Sequence, residues 1–434
     1  MNWTVKPGGA LSGEITVPGD KSVTQRAYIF AAMANGTSRV IEPLRAEDTD
    51  STLKAVSSLG PVIEDKNSEV TIMGEGVSSF TEPGDVIDLG NSGTGARLMA
   101  GLLSSCPFLT VLTGDDSLRK RPMARVAHPL RLMGAVIDGR ADGTLLPLAI
   151  RGGKLKGITY ESPVASAQVK SSILIAALGA EGRTVFTEPG LSRDHSERML
   201  TSMGIEILQE DGALIIDGGQ TPDSAVIRVP GDISSAAFFL VAGTIVEGSE
   251  IDVLNVGVNP TRTGILRLLE AMGGRISVNH HRRNGEPMAD IKVEGTGDLK
   301  GISIPEDWIP AIIDELPLAA VLAAAADGIT ELRGAAELRV KESDRITSTV
   351  QMLSRAGVEV EELNDGFRIK GRGPVRGCAH ESHGDHRIAM SSAVLSLLAD
   401  APSEIHDTSC VATSFPGFIS LMNNLLPGSV SEYL

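Results

Sequence analysis

Six times along this chain a few polar or charged residues run straight into a small-residue apolar stretch of helical length, then a turn and a β-rich run. The openings are KSVTQRAYIFAAMA from Lys21, TGARLMAGLLSS from Thr94, SAQVKSSILIAAL from Ser166, SSAAFFLVAGTIV from Ser234, DELPLAAVLAAAA from Asp314 and DHRIAMSSAVLSLLA from Asp385. Ser, Thr and Asp cap helix N-termini. Each such terminus presents unpaired N–H donors and about half a positive charge, which favours an anion. Six of them, seeded with Lys and Arg, predict a site for ligands carrying several negative charges.

A second series fixes the period. A helix end runs into Gly and then a strand at Gly60, Gly134, Gly204, Gly273 and Gly357, with a frayed copy, LMNNLLPG, ending at Gly428. Gly at a helix end suits the left-handed C-terminal position. The intervals, about 70 to 84 residues, are too long for a solenoid repeat and suit a βαβ-type unit with an extra hairpin. Two Val-Pro-Gly-Asp segments, at Val17 and Val229, stand three repeats apart. Each reads as a strand end, a Pro-Gly turn and a helix cap. Two domains of three units follow: residues 1–20 plus 230–434, and residues 21–229. The N-terminal strand closes the last unit of the first, and the two crossings form a hinge for closing a cleft over substrate.

Composition narrows the ligands. The formal net charge is −16, which repels nucleic acid and anionic membrane, so basic residues must be concentrated locally. Aromatic residues make up only 3%; the cores are expected to be aliphatic, and no stacking platform for single strands is expected. The longest apolar runs, AAFFLVAGTIV and LPLAAVLAAAA, are too short to span a bilayer. Cys106, Cys378 and Cys410 show no metal or redox spacing, and the N-terminus has no signal pattern, so a cytoplasmic protein without a metal is expected. His280 to Gly285 reads as a solvated hairpin tip.

Each opening has a bland reading and a chemical one. Lys21-Ser22 with Arg26 is a capped helix or an anion clamp, Ser22 and Arg26 sharing a face. Gly90 to Arg97 (GNSGTGAR) is a Gly-rich helix start that lets backbone N–H groups approach an anion; it lacks the Walker Gly-Lys-Ser/Thr. GDDSLRKRP, with Arg121, reads as a solvated charged loop. Ser166-Ala167-Gln168, with Arg193 in SRDHSER, suits a hydroxylated ligand bearing a phosphate. Asp314-Glu315 and KESDR (Lys341 to Arg345) set carboxylates beside cations, as paired acid and base work requires. Asp385-His386-Arg387 is a cap with a satisfied His or a further anion contact. The bland readings do not explain why all six fall at equivalent repeat positions.

In this order these motifs resemble the 5-enolpyruvylshikimate-3-phosphate synthase family, from PGDKS near residue 20 to VATSFPGF near residue 415. SAQVK, SRDHSERML, GVNPTRTG and DTSCVATSFPGF are most similar to the bacterial branch that includes glyphosate-tolerant members. The resemblance implies two inside-out α/β domains, each of three βαβαββ units. It implies transfer of the enolpyruvyl group of phosphoenolpyruvate to the 5-hydroxyl of shikimate 3-phosphate through a tetrahedral ketal, with no metal or organic cofactor, in a monomer. By the same resemblance, Lys21 touches both substrates. Ser22, Arg26, Ser166, Ala167, Gln168, Arg193, Asp314 and Lys341 hold shikimate 3-phosphate. Gly93, Arg121, Gln168, Glu342, Arg345 and Arg387 surround phosphoenolpyruvate, with Lys341 placed beside it as well. Asp314 takes the 5-hydroxyl proton; Glu342 gives a proton to the methylene carbon and later removes one.

One position departs from the wider family and one from the branch. Thr413 stands where many family members have a Lys before the final Phe-Pro, as in the tolerant branch, so one phosphate contact is absent or supplied elsewhere. Gly93 stands where tolerant members often have Ala, so greater glyphosate sensitivity is expected. The rival enzyme, UDP-N-acetylglucosamine enolpyruvyl transferase, carries a Cys before its Arg-Pro; GDDSLRKRP has none. RNA 3′-phosphate cyclase is disfavoured by charge, and a non-catalytic anion-binding protein by retention of Lys21, Asp314, Glu342 and Arg345.

Overall fold

The computed structural model describes residues 1–281 and 285–433. The chain divides into two compact units. Unit one is Met1–Pro18, Pro230–Arg283 and Pro287–Leu434; unit two is Gly19–Val229 with Asn284–Glu286. The chain passes from one to the other at Pro18/Gly19 and at Val229/Pro230, both within the Val-Pro-Gly-Asp segments.

Six buried helices stand at the six expected places. Unit two holds α1 (Lys21–Met33), α2 (Gly93–Leu103) and α3 (Ala167–Leu178). Unit one holds α4 (Ile233–Ile245), α5 (Leu316–Ala325) and α6 (His386–Ser396). Every residue of α4 is buried; a helix apolar on all sides can only sit inside a layer of other elements. Four are capped by a side chain accepting a backbone N–H: Asp20 from Val23 at 2.8 Å, Ser92 from Gly95 at 3.0 Å, Asp232 from Ser234 at 2.9 Å and Asp385 from Arg387 at 2.9 Å. Ser166 and Glu315 occupy the cap position without such a bond.

Around these helices each unit repeats one sheet: a parallel pair followed by two antiparallel pairings. In unit two Val226–Arg228 runs parallel to Asn35–Ile41, which pairs antiparallel with Glu69–Glu75 and that with Val62–Asp65. The order recurs in Ile87–Asp88, Leu109–Thr113, Leu148–Arg151 and Val136–Gly139, and in Thr159–Glu161, Arg183–Thr187, Ala213–Asp217 and Ile207–Glu210. Unit one repeats it in Ser12–Thr16, Glu250–Gly257, Met288–Glu294 and Arg275–His281. In its second sheet a Ser303–Glu331 bridge replaces the parallel strand beside Ile329–Leu332. Its last sheet takes the N-terminal strand: Asn2–Val5 lies between Ser403–His406 and Val430–Tyr433. The Arg275–His281 and Met288–Glu294 strands form the expected hairpin; part of its tip, 282–284, lies outside the described residues.

The glycine series ends the outer helices. Gly60, Gly134, Gly204, Gly273, Gly357 and Gly428 have φ of +109°, +111°, +84°, +90°, +81° and +74°. At Gly134 the ending is doubly hydrogen-bonded, Gly134 N to Arg131 O and Ala135 N to Leu130 O, both 3.0 Å; Gly204, Gly273 and Gly357 repeat that pattern. This is the left-handed Schellman end that only Gly adopts without a Cβ penalty.

The aliphatic-core expectation needs one correction. Unit one gathers Trp3, Phe238, Phe239, Phe415 and Phe418 into one ring cluster, with Trp3 stacked on Phe418 at 5.5 Å and Phe415 edge-on to it at 5.7 Å. Few aromatics were available, and this unit places five of them at one spot, where large rings fill volume that small helical residues leave.

Candidate active site

In unit two the N-termini of α1, α2 and α3 are tied to one another by side chains. Gln25 on α1 donates to Ser92, the cap of α2, at 2.5 Å. Gln168 on α3 donates to Thr94 on α2 at 2.9 Å and accepts from Arg97 at 2.6 Å. Arg26 reaches from α1 to Ser171 on α3 at 2.9 Å and to Ser196 at 2.8 Å. Three helix N-termini are therefore held together at one end of the unit, where the aligned dipoles favour negative charge.

Cations stand on these termini. Lys21 pairs with Asp48 at 2.9 Å and remains partly exposed. Arg26 is 2% exposed, and its Nη1 also donates to the Ser22 carbonyl at 3.0 Å. Burial lowers it to about 10, against the pull of the carboxylates of Glu197, Asp20 and Glu286 and with a further push from Arg193. Arg121 donates to Asn91 Oδ1 at 2.6 Å, and Asn91 in turn donates to Asp115 at 2.7 Å. The neighbouring Arg119 pairs with Asp116 in an exposed turn, whereas Arg121 is half-buried. Gly93 opens α2 beside Arg121 and Arg97; a Cβ there would meet their Nη1 atoms at 3.3 and 3.1 Å. Ser166, Ala167 and Gln168 begin α3, half-buried.

Unit one carries a second cluster with the same logic. Ser234 on α4 donates to Glu315, the cap of α5, and Arg387 on α6 donates to the Asp314 carbonyl at 2.9 Å. KESDR resolves residue by residue. Asp344 caps the helix Arg345–Arg355, accepting from Ile346 and Thr347, and pairs with Arg339 at 2.8 Å. Ser343 donates to Asp385 at 3.1 Å. Lys341 lies 3.7 Å from Asp314, and Arg345 meets Glu342 at 2.5 Å, Asp385 at 2.7 Å and Asp314 at 3.4 Å.

Arg345 is buried among these three carboxylates. Burial works against its charge, but Asp385, Glu342 and Asp314 together hold it above the ordinary guanidinium value. Asp385, fully buried, would be raised by desolvation; Arg345 overrides this and holds it below the ordinary carboxylate value. One guanidinium thus fixes Asp314 and Glu342 through different nitrogens.

Of the residues expected from sequence, unit two gathers Lys21, Ser22, Arg26, Gly93, Arg121, Ser166, Ala167, Gln168 and Arg193, and unit one gathers Asp314, Lys341, Glu342, Arg345 and Arg387. Thr413 donates to the Cys410 carbonyl at 2.8 Å and supplies no cation. Sequence reasoning missed Arg97, which anchors Gln168, although it stands one helical turn after Gly93 in the motif. It also missed Asp48, the partner of Lys21, in the acidic start of the helix Glu47–Ser57. Among the described residues no group of three or more His, Cys, Asp or Glu is arranged to hold a metal ion, and no single helix is long and apolar enough to cross a membrane.

Comparison with known proteins gives one answer. The family model for EPSP synthase (3-phosphoshikimate 1-carboxyvinyltransferase) matches residues 5–422. A 3-phosphoshikimate 1-carboxyvinyltransferase of Citrifermentans bemidjiense is 50% identical over 427 residues, covering 98% of this chain and 99% of the relative. One from Desulfitobacterium hafniense strain DCB-2 is 49% identical over 422 residues, covering 97% of each. A solved EPSP synthase from Acinetobacter baumannii superposes with a TM-score of 0.90 at 47% identity, covering 99% of this chain and 100% of that one. The chain belongs to the EPSP synthase family.

Proposed function

We propose that this chain transfers the carboxyvinyl group of phosphoenolpyruvate to the 5-hydroxyl of shikimate 3-phosphate, and that the two clusters divide the work. The reaction is that of the family. Both substrates carry several negative charges, which the unit-two helix termini and their Lys and Arg side chains are suited to bind. Lys21 contacts both. Ser22, Arg26, Ser166, Ala167 (through its backbone), Gln168 and Arg193 hold shikimate 3-phosphate, and Gly93, Arg121, Arg345 and Arg387 are the phosphoenolpyruvate contacts.

In the addition step Asp314 accepts the 5-hydroxyl proton as its oxygen bonds to C2 of phosphoenolpyruvate, while Glu342 delivers a proton to C3. The product of this step is a ketal that still bears phosphate. In the elimination step a proton leaves C3 to Glu342, the double bond re-forms and phosphate departs, taking up the proton that Asp314 had accepted, so that both carboxyl groups return to their starting states. Lys341 beside Asp314 and Arg345 beside Glu342 stabilise the ionised carboxylates and the developing anion through fixed charge. The observation that carries these roles is the single Arg345 guanidinium contacting both Asp314 and Glu342. That the enzyme is a monomer working in the cytoplasm rests on the sequence alone.

The test is phosphate release from phosphoenolpyruvate with shikimate 3-phosphate and with UDP-N-acetylglucosamine, offered separately. Release with the first only is expected. Release with the second would overturn the acceptor assignment.

A further inference from the structure

Behind the residues assigned to shikimate 3-phosphate lies a buried ion triad that no step of the reaction uses. Lys170, 1% exposed, lies on α3 one turn beyond the Ser166 cap. Its Nζ meets Glu188 at 3.0 Å, Glu197 at 2.7 Å and the Ser192 carbonyl at 3.2 Å. The same Glu188 oxygen accepts from the Ser192 backbone N–H at 3.0 Å and from its hydroxyl at 2.8 Å. The second oxygens of Glu188 and Glu197 are buried without a hydrogen-bond partner.

Buried ion pairs seldom add stability over apolar packing, so a triad of this kind needs another reason. Its connections supply one. Glu188 folds the short loop that ends at Ser192 and delivers Arg193. Glu197 lies on the helix His195–Ser202, next to Ser196, whose hydroxyl accepts from Arg26 Nε and lies 2.7 Å from the Ser171 hydroxyl. One ammonium therefore joins the start of α3, the Arg193 loop and the helix that steadies Arg26. Two carboxylates around one lysine also leave an excess negative charge, and Glu197 is the strongest attractive influence on Arg26. Arg26 can thus stay charged without giving its remaining N–H groups to a carboxylate.

We infer that Lys170, with Glu188 and Glu197, is a positioning residue for the acceptor substrate, setting Arg193 and Arg26 against shikimate 3-phosphate while leaving the phosphoenolpyruvate contacts alone. The inference rests on the proposed assignment of Arg193 and Arg26 to that substrate.

The experiment is steady-state kinetics of Lys170→Met and Lys170→Arg, with Glu188→Gln as the milder variant and Arg193→Ala as the control. Lys170→Met should raise KM for shikimate 3-phosphate about tenfold, with KM for phosphoenolpyruvate and kcat changed less than about threefold; Lys170→Arg should recover part of the loss. Should Lys170→Met not fold, Glu188→Gln decides by the same split, at a few-fold. Equal KM for shikimate 3-phosphate in a folded variant, or both KM values and kcat moving together, would overturn the inference. If Arg193→Ala leaves that KM unchanged, the substrate assignment fails and the inference with it; if Arg193→Ala raises it and the Lys170 and Glu188 variants do not, only the inference fails.

Discussion

At the residue scale, charge placement decides what each group can do. Asp314 and Glu342 share Arg345, yet the proposed roles ask opposite things of them. Asp314→Asn and Glu342→Gln keep shape and remove proton transfer, so each should lower kcat by about 100-fold or more, the usual worth of a general acid or base; near-normal turnover in either would sink the assigned roles. Gly93 is a steric question. A methyl there must push the Arg97 and Arg121 guanidinium groups by a few tenths of an ångström, and Arg97 is what orients Gln168. Gly93→Ala should weaken glyphosate inhibition about tenfold, about 1.4 kcal/mol, and raise KM for phosphoenolpyruvate by less; an unaltered enzyme already resistant to millimolar glyphosate would refute this. Asp385 is a stability question with a definite sign. Its folded-state value lies below the ordinary 3.8. The stability it contributes is therefore complete above that value and is lost as pH falls through the lowered one. Asp385→Asn should cost about 3–5 kcal/mol at neutral pH, because Arg345 loses its best buried partner, and should flatten the acid limb of a urea-midpoint profile. A variant whose midpoint falls on acidification as steeply as the parent's would contradict the assignment.

At the element scale, the six buried helices were legible because a stretch apolar on every face has nowhere to go but inside. Their caps were legible in part. Asp20 and Asp232 end the two Val-Pro-Gly-Asp segments, where the sequence reads as a cap, but Ser92 stands two residues ahead of the opening at Thr94, since hydropathy marks where a helix becomes apolar and not where its first N–H is satisfied. The ties between helix starts were not legible at all. Gln25 to Ser92 and Ser234 to Glu315 join residues 67 and 81 apart, and only the fold brings such pairs together. Close packing gives this scale its own prediction. Gly101 lies inside α2, where Gly→Ala ordinarily stabilises a helix by about 1 kcal/mol. Here a Cβ would sit 2.3 Å from the Ser172 carbonyl on α3. Backbone cannot step aside as a flexible side chain can, so overpacking should win by about 1–3 kcal/mol. Gly101→Ala should therefore lower the thermal midpoint; an unchanged or raised midpoint would show that α2 and α3 can part without cost.

At the scale of the whole molecule, the chain carries a net charge of −16 and still collects its cations at helix starts, so local placement outweighs the global sign for ligands that come within a few ångströms. The order of the chain also leaves one dependence that hydropathy alone would not suggest. Asn2–Val5 completes a four-stranded sheet whose strands beside it, Ser403–His406 and Val430–Tyr433, lie some four hundred residues away in the sequence. Trp3, 2% exposed, stacks on Phe418 within the ring cluster of unit one. Replacing a buried Trp by Ala costs about 3–5 kcal/mol, and removing residues 1–5 would also leave Val430–Tyr433 without its sheet partner and Ser403–His406 paired on one side only, with Ala379–Glu381. In hydrogen exchange, such a truncation should therefore strip protection from 403–406 and 430–433, some four hundred residues along the chain from the cut, while the Asn35–Ile41 and Leu109–Thr113 strands of unit two keep theirs. Equal loss in both units would mean that they unfold as one cooperative body, and no loss in either would mean that the N-terminal strand is dispensable to the sheet it completes.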